Sequence, residues 1–238
     1  MINSNFFSLI ISILLTIILV SNGNCQLHKN LDKGTRTIYL IRHGFYNESD
    51  SRDEFIGKGL TPLGIAQARL VAARLKGMPV KFTSLISSTM TRARQTAMVI
   101  NEGFPELELK EDKLISECTP PSWRKDIMAG VDTTEKEKCV ENLENAFKKY
   151  FTPSPDAKNR NDIIVCHGNV IRYFVTKILK VDTMSWLQMS IANCSLTIVR
   201  INRDGSMKLV CFNDVGHIPP NLQTETGRNN ESKKLIIH

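Results

Sequence analysis

The 238-residue chain predicts an α/β fold: a three-layer sandwich with a mostly parallel central sheet and helices on both faces. Three observations predict it. Two short apolar runs, Thr37-Ile38-Tyr39-Leu40-Ile41 and Asp162-Ile163-Ile164-Val165-Cys166, are rich in β-branched residues and bounded by glycine, which is the pattern of strands buried on both faces. Strand-like and helix-like segments alternate between and after them. Asn202-Arg203-Asp204-Gly205 separates two alternating segments and carries a strong hairpin signal in its Asp-Gly pair.

The elements follow in order. The first strand ends in Arg42-His43-Gly44, and a polar loop with Asp50, Arg52, Asp53 and three glycines by Gly64 comes next. Thr61-Pro62 has the form of a helix N-cap followed by proline at the first helical position. That helix runs to about Lys76, with Ala68, Val71, Ala72 and Leu75 on one face. Ser84–Ser87 reads as a strand, and a helix carrying Arg92, Ala93, Thr96, Ala97 and Ile100 begins at Thr89. Leu114-Ile115 reads as a short strand leading to Glu117, followed by the stiff loop Cys118-Thr119-Pro120-Pro121-Ser122-Trp123. Val140, Leu143, Phe147 and Tyr150 recur at helical period within Thr133–Phe151. After the second His-Gly, Val170, Ile171, Phe174, Val175, Ile178 and Leu179 mark a helix against the sheet. Ser195–Ile201 and Met207–Phe212 form the hairpin.

Domain organisation follows from where these patterns start and stop. Residues 1–25 are a signal peptide or membrane anchor: Phe6–Val20 is an uncharged run broken only by Ser8, Ser12 and Thr16. As a helix it reaches about 22 Å, short of a bilayer core of roughly 30 Å but suited to a signal-peptide apolar region. No Lys or Arg precedes it, so cleavage and retention both stay open. Residues 26–36 read as a polar linker, 37–220 as the folded domain and 221–238 as a flexible tail. Asn47, Asn193 and Asn230 stand in Asn-x-Ser sequons.

Composition narrows the function classes. With 42% hydrophobic and 23% charged residues the chain has ordinary globular usage, and its net charge of +7 suits an anionic ligand. No basic run is interleaved with aromatics, so nucleic acid is not an expected partner. The six cysteines lack C-x-x-C or zinc spacing, so neither a disulfide framework nor a metal site is expected, and Cys166, Cys194 and Cys211 read as buried thiols. His28, His217 and His238 have no partner pattern, and Arg172 lies off the apolar face of its helix, as a structural or surface residue would.

A histidine at the C-terminal end of each of two buried strands is placed where open α/β sheets bind ligands. With Arg42 beside the first, the pair reads as a phosphate site. A neutral imidazole at His43 is a competent nucleophile toward phosphorus, and a covalent intermediate splits one difficult displacement into two easier ones. Adjacent cations favour the unprotonated ring. Arg42 and Arg92 offer planar forks of donors to phosphoryl oxygens. His167, aided by the helix N-terminus that follows it, is a second donor. Asn47, four residues after His43, either touches substrate or shapes its loop.

Leu40-Ile41-Arg42-His43-Gly44, Leu60-Thr61-Pro62-Leu63-Gly64, Ser87-Ser88-Thr89-Met90-Thr91-Arg92-Ala93 and Cys166-His167-Gly168-Asn169-Val170-Ile171-Arg172-Tyr173, in this order, resemble the histidine phosphatase (phosphoglycerate mutase-like) superfamily. The likeness extends through Trp186-Leu187 to Gly216-His217-Ile218-Pro219-Pro220. Within the superfamily the chain is most similar to the mitochondrial serine/threonine protein phosphatases. The resemblance implies catalytic His43, Glu117 and His167, with Glu117 as proton donor, phosphate-binding Arg42, Arg92 and His167, and no cofactor. It implies phosphoprotein substrates cleaved through a phosphohistidine; a small-molecule phosphatase of the same superfamily and a membrane-tethered adaptor are the alternatives. It also implies a mitochondrial membrane location through the apolar segment if retained, against the secretory pathway if that segment is cleaved. The subgroup's tryptophan- and aspartate-containing assembly motif has no counterpart in Gln26–Arg36, which leaves a homo-oligomer open.

Overall fold

A computed structural model describes residues 34–225. The N-terminal apolar segment, most of the linker and residues 226–238 of the expected tail lie outside the described residues. Six strands form one sheet: β1 (Arg36–Arg42), β2 (Ser84–Ser87), β3 (Leu109–Glu111), β4 (Arg160–Cys166), β5 (Leu196–Ile201) and β6 (Met207–Asp214), in the order β3-β2-β4-β1-β5-β6. The first four are mutually parallel. The last two add an antiparallel hairpin beside β1. The expected hairpin turn is present, with Gly205 at φ 86°, a left-handed conformation that favours glycine.

The helices are α1 (Pro62–Lys76), α2 (Thr91–Asn101), the single turn α3 (Lys125–Met128), α4 (Thr133–Tyr150) and α5 (Gly168–Leu179). Alternation along β1 sorts them into two layers. Ile38 and Leu40 point into a core shared with Leu143 of α4 and Val170 and Phe174 of α5. Tyr39 and Ile41 point the other way, into a core with Val71 and Leu75 of α1 and Ala97 and Ile100 of α2. Both faces of β1 and β4 are therefore buried, which is why their sequences are continuously apolar.

Thr61 caps α1 as expected, its hydroxyl accepting from the Gly64 amide at 3.1 Å. The glycines of the surrounding motif have a steric cause: a Cβ on Gly44 would stand 2.6 Å from the Gly64 carbonyl oxygen, and one on Gly64 1.9 Å from that of Phe45. The backbone after His43 thus packs directly on the first turn of α1.

Four expectations are corrected. Leu114-Ile115 is not a strand but part of a 3-10 turn, Lys113–Ile115, capped by the Asp112 carboxylate accepting from the Leu114 amide; the strand is the preceding, mostly exposed Leu109–Glu111, whose residues carry no apolar alternation. The helix expected from Thr89 starts at Thr91. Cys118 and Cys139 are joined in a disulfide, while Cys166, Cys194 and Cys211 are free thiols; the bridge joins a proline-rich loop to a helix 21 residues away, a proximity that only the fold creates. Finally, residues 222–225, placed in the tail by the sequence, pack on the domain. Thr224 is buried, and its hydroxyl donates to Asn193 and accepts from Gln67.

Candidate active site

The site is built by the parallel register of β1 and β4. Arg42 pairs with Cys166, so the two strands end at the same level and the next residue of each is a histidine. The His43 amide donates to the Cys166 carbonyl at 3.0 Å, and the two imidazole centroids are 5.1 Å apart. On the other side of β4, the Ser88 amide continues the ladder to Val165 at 2.9 Å, which brings Ser88 beside His167.

His43 is 1% exposed. Its Nδ1 lies 2.9 Å from the Gly44 carbonyl oxygen, which can only accept, so Nδ1 carries the proton and Nε2 keeps its lone pair. Arg92 donates its Nε–H to that Nε2 at 3.2 Å. Burial, then the neighbouring His167, Arg42 and Arg92, holds the His43 pKa well below the usual imidazole range, so the ring is neutral at pH 7. The Asn193 amide and the backbone N–H of Cys194 both donate to the His43 carbonyl, bracing the residue from the loop before β5.

His167 is fully buried, and its pKa is likewise depressed by burial and by Arg92 and Arg42. Its Nε2 is 2.7 Å from the Ser88 hydroxyl, whereas its buried Nδ1 has no hydrogen-bond partner in the protein. Arg42 is almost fully enclosed and donates through Nη1 to the Ile191 carbonyl at 2.6 Å. Burial lowers its pKa to about 10, which leaves it charged at neutral pH.

Arg92, in the first turn of α2, is 4% exposed. Besides His43 it engages the Glu54 carboxylate, and its guanidinium lies 4.7 Å from the centre of the Tyr46 ring. Tyr46 in turn meets His43 edge-on at 5.2 Å. The loop between β1 and α1 therefore folds back over the site, with Glu54 held between Arg92 and Lys58.

Glu117 is carried by the loop that follows the Lys113–Ile115 turn. Its Oε1 accepts from the Asn169 amide at the start of α5, at 3.2 Å, and the Asn169 side chain donates to the Cys118 carbonyl at 2.9 Å. Burial raises the Glu117 pKa against the opposing pull of Arg42, Arg92 and Arg172, favouring a protonated carboxyl. Arg172 is partly buried and takes the structural of the two readings: it donates to the Gly168 carbonyl and the Asn169 side chain and stacks 5.1 Å from the centre of the Trp186 ring.

Arg42, His43, Arg92, Glu117 and His167 thus converge, but Asn47 does not join them through any contact of its side chain. The side-chain oxygen accepts from the Ser49 amide and hydroxyl, and the backbone N–H of Asn47 donates to the Gly59 carbonyl, as loop-shaping requires. Sequence reasoning gave no role to Ser88, Glu54, Tyr46, Asn169 or Asn193. Ser88 and Asn169 stand inside the quoted motifs and were legible there. Glu54 and Tyr46 lie in a loop where no pattern marks them, and Asn193 is marked only by its sequon, which points elsewhere. The Asn193 side chain, 2% exposed and hydrogen-bonded at both ends, is inaccessible to glycan attachment in the folded domain.

Chemically, the cluster joins a neutral imidazole whose Nε2 lone pair faces the Arg92 guanidinium, a second guanidinium, a second imidazole and a carboxyl biased toward its acid form. Such a set can accept a phosphoryl group on nitrogen, hold its oxygens and protonate a leaving alkoxide. Among the described residues no group of three or more His, Cys, Asp and Glu is arranged to hold a metal ion.

Comparison with known proteins places the chain. It is 38% identical over 199 residues to the mitochondrial serine/threonine-protein phosphatase Pgam5 of Caenorhabditis elegans, covering 79% of this chain and 66% of that protein. It is 32% identical over 221 residues to the human protein of the same name, covering 87% and 73%. The chain thus spans about two thirds of the length of the nematode relative. A crystal structure of phosphoglycerate mutase from Plasmodium falciparum superposes with a TM-score of 0.54 at 28% identity, covering 78% of this chain and 95% of the other. The model of the histidine phosphatase superfamily, branch 1, matches residues 38–154 and 154–215, a span that runs from β1 through both histidine-bearing strand ends to the edge of the sheet, and it is to this superfamily that the chain belongs.

Proposed function

We propose that the protein is a metal-independent phosphatase that hydrolyses phosphoserine and phosphothreonine in proteins through a phosphohistidine at His43. The observation that carries this reading is the Nδ1 contact of His43 with the Gly44 carbonyl, which leaves Nε2 as the nucleophilic atom. Nε2 attacks phosphorus as the bond to the serine or threonine oxygen breaks. Arg42, Arg92 and His167 hold the three phosphoryl oxygens, and Glu117 gives its proton to the departing oxygen. In the second half the Glu117 carboxylate takes a proton from water, which attacks the phosphohistidine, and the cycle closes with His43 neutral and Glu117 protonated. The charge on the phosphoryl group is met by fixed guanidiniums, so the chemistry calls on no metal ion.

The relatives support the substrate class, since both are named serine/threonine-protein phosphatases. An adaptor would need neither nucleophile nor acid, and this disfavours that alternative. The relatives are named mitochondrial, and the Cys118–Cys139 bridge favours a compartment in which disulfides persist. Mass spectrometry of the mature N-terminus distinguishes a retained anchor from a cleaved leader. Asn47 stays in this scheme as a loop residue.

The test is to trap the intermediate at alkaline pH, where phosphohistidine survives, and to map it. Phosphate on His43, and loss of turnover in a folded His43→Ala variant with EDTA without effect on the unmodified enzyme, are the expected results. Appreciable turnover by His43→Ala, or strong inhibition by EDTA, would overturn the proposal.

A further inference from the structure

We propose that the Cys118–Cys139 disulfide is a positioning element for the proton donor, holding Glu117 at the reacting phosphate. The inference rests on the assignment of Glu117 as that donor. Residues 117–122 form neither helix nor strand, so no ladder of backbone hydrogen bonds sets the position of the acid. Downstream, the loop is pinned to the 3-10 turn Thr183–Gln188, with Trp186 Nε1 donating to the Pro121 carbonyl at 2.9 Å and Ser122 to that of Met184 at 3.3 Å. The Glu117 carboxylate accepts from the Asn169 amide, and the Asn169 side chain donates to the carbonyl of the next residue, Cys118.

Upstream, the Ser116 hydroxyl meets those of Ser88 and Thr89 at 3.4 and 3.1 Å, and on the downstream side of Glu117 a covalent tie is added. Cys118, the next residue after Glu117, is bonded to Cys139, which is 2% exposed and packed with Leu143 in the core beneath α4. The need for such a tie is visible in the cavity of about 370 Å³ between this loop and α4, lined by Glu117, Thr119, Val131, Lys138 and Asn142. A loop with open space behind it can retreat, and a displacement of about 1 Å at a reacting group can cost on the order of 10² in rate. The disulfide closes off that retreat at the residue next to the acid.

The consequence is specific to the leaving group. A serine alkoxide needs a proton as it departs, whereas p-nitrophenolate scarcely does. Dithiothreitol supplies two electrons and two protons, becoming a cyclic disulfide while both cysteines become thiols, and so releases the tether without substitution. The quantity to follow is the ratio of kcat/KM for a phosphoserine peptide to that for p-nitrophenyl phosphate. It should fall about tenfold on reduction, less than the roughly 10² to 10⁴ that outright loss of a general acid can cost, because the freed loop displaces the acid without removing it. It should recover on reoxidation, and a Cys118→Ser/Cys139→Ser variant should show the low ratio without responding to thiols. In Glu117→Gln the ratio should already be low and indifferent to reduction.

Complete reduction, verified by thiol counting, that leaves the ratio unchanged while Glu117→Gln lowers it would overturn the positioning role and leave the acid assignment intact. Equal losses on both substrates in Glu117→Gln would instead remove the acid itself. Reduction that lowers both substrates in parallel, with or without loss of cooperative unfolding, would show that the bridge serves only the stability of the domain and would likewise overturn the proposal.

Discussion

Replacing Arg92 by alanine tests whether the cation beside His43 stabilises the transition state or merely attracts phosphate. Arg92 is 4% exposed, and its Nε stands 3.2 Å from the atom proposed to receive the phosphoryl group. Oxygens of a phosphoryl group in transfer to that atom fall within reach of the same guanidinium, in a site largely closed to water. A preorganised donor in such a place is worth about 2.7–4 kcal/mol of barrier, or about 10² to 10³ in kcat at 1.36 kcal/mol per tenfold. A long-range attraction across partly solvated space would be worth about 1 kcal/mol or less and would enter KM alone. Arg92→Lys keeps the charge but not the planar fork, so it should recover little of the loss. Steady-state kcat and KM on a phosphoserine peptide, with vanadate as a transition-state mimic, separate the cases. Because Arg92 also helps depress the His43 pKa, its removal should move the acidic limb of the rate profile to higher pH. A variant with full kcat and a raised KM would refute the reasoning.

Two further outcomes follow from the electrostatics. The His43 pKa lies well below 6.5 and that of Glu117 above 4.5, so kcat/KM for phosphoserine peptides should persist below the usual imidazole range. It should fall on the acid side as His43 protonates and on the alkaline side as Glu117 ionises; with p-nitrophenyl phosphate the alkaline limb should weaken or vanish, and an identical alkaline limb for both substrates would contradict the role of Glu117. The second concerns Glu54, which holds the Arg92 guanidinium that the substrate must engage. Its carboxylate is one third exposed, so the competing pair is worth about 1 kcal/mol, and Glu54→Gln should lower KM up to about fivefold with little change in kcat; an increase in KM would show that Glu54 instead orients Arg92 for the substrate.

Much of the molecule was legible in the sequence because periodicity and local chemistry are properties of contiguous residues. The continuous apolar character of residues 37–41 and 162–166 announced strands buried on both faces, and the alternation of elements announced the layers. Thr61-Pro62 announced its helix because a cap is a local hydrogen bond. The ordered motifs singled out Arg42, His43, Arg92 and His167, and the resemblance they carry added Glu117. β3 was missed because an exposed edge strand of three residues has no inner face to impose alternation.

What only the tertiary structure decided depends on contacts between distant parts of the chain. The flush ends of β1 and β4 follow from a register between residues more than 120 apart, and that register is what sets the two imidazoles 5.1 Å from one another. The tautomer of His43, the Glu54 carboxylate on Arg92 and the clamp of Asn169 on Glu117 arise from loop conformations that no periodic pattern encodes. Thr224 was read as tail because a single buried hydroxyl leaves no apolar signature. The Cys118–Cys139 bridge escaped notice for a related reason: its cysteines share no spacing motif, and their approach is set by how α4 packs beneath the loop that carries Glu117. Sequence determines which chemical groups are available and which segments must be buried, because hydrophobic pattern and capping act locally; the distances, protonation states and tethers that turn those groups into a site are set by packing, because burial and charge act through space.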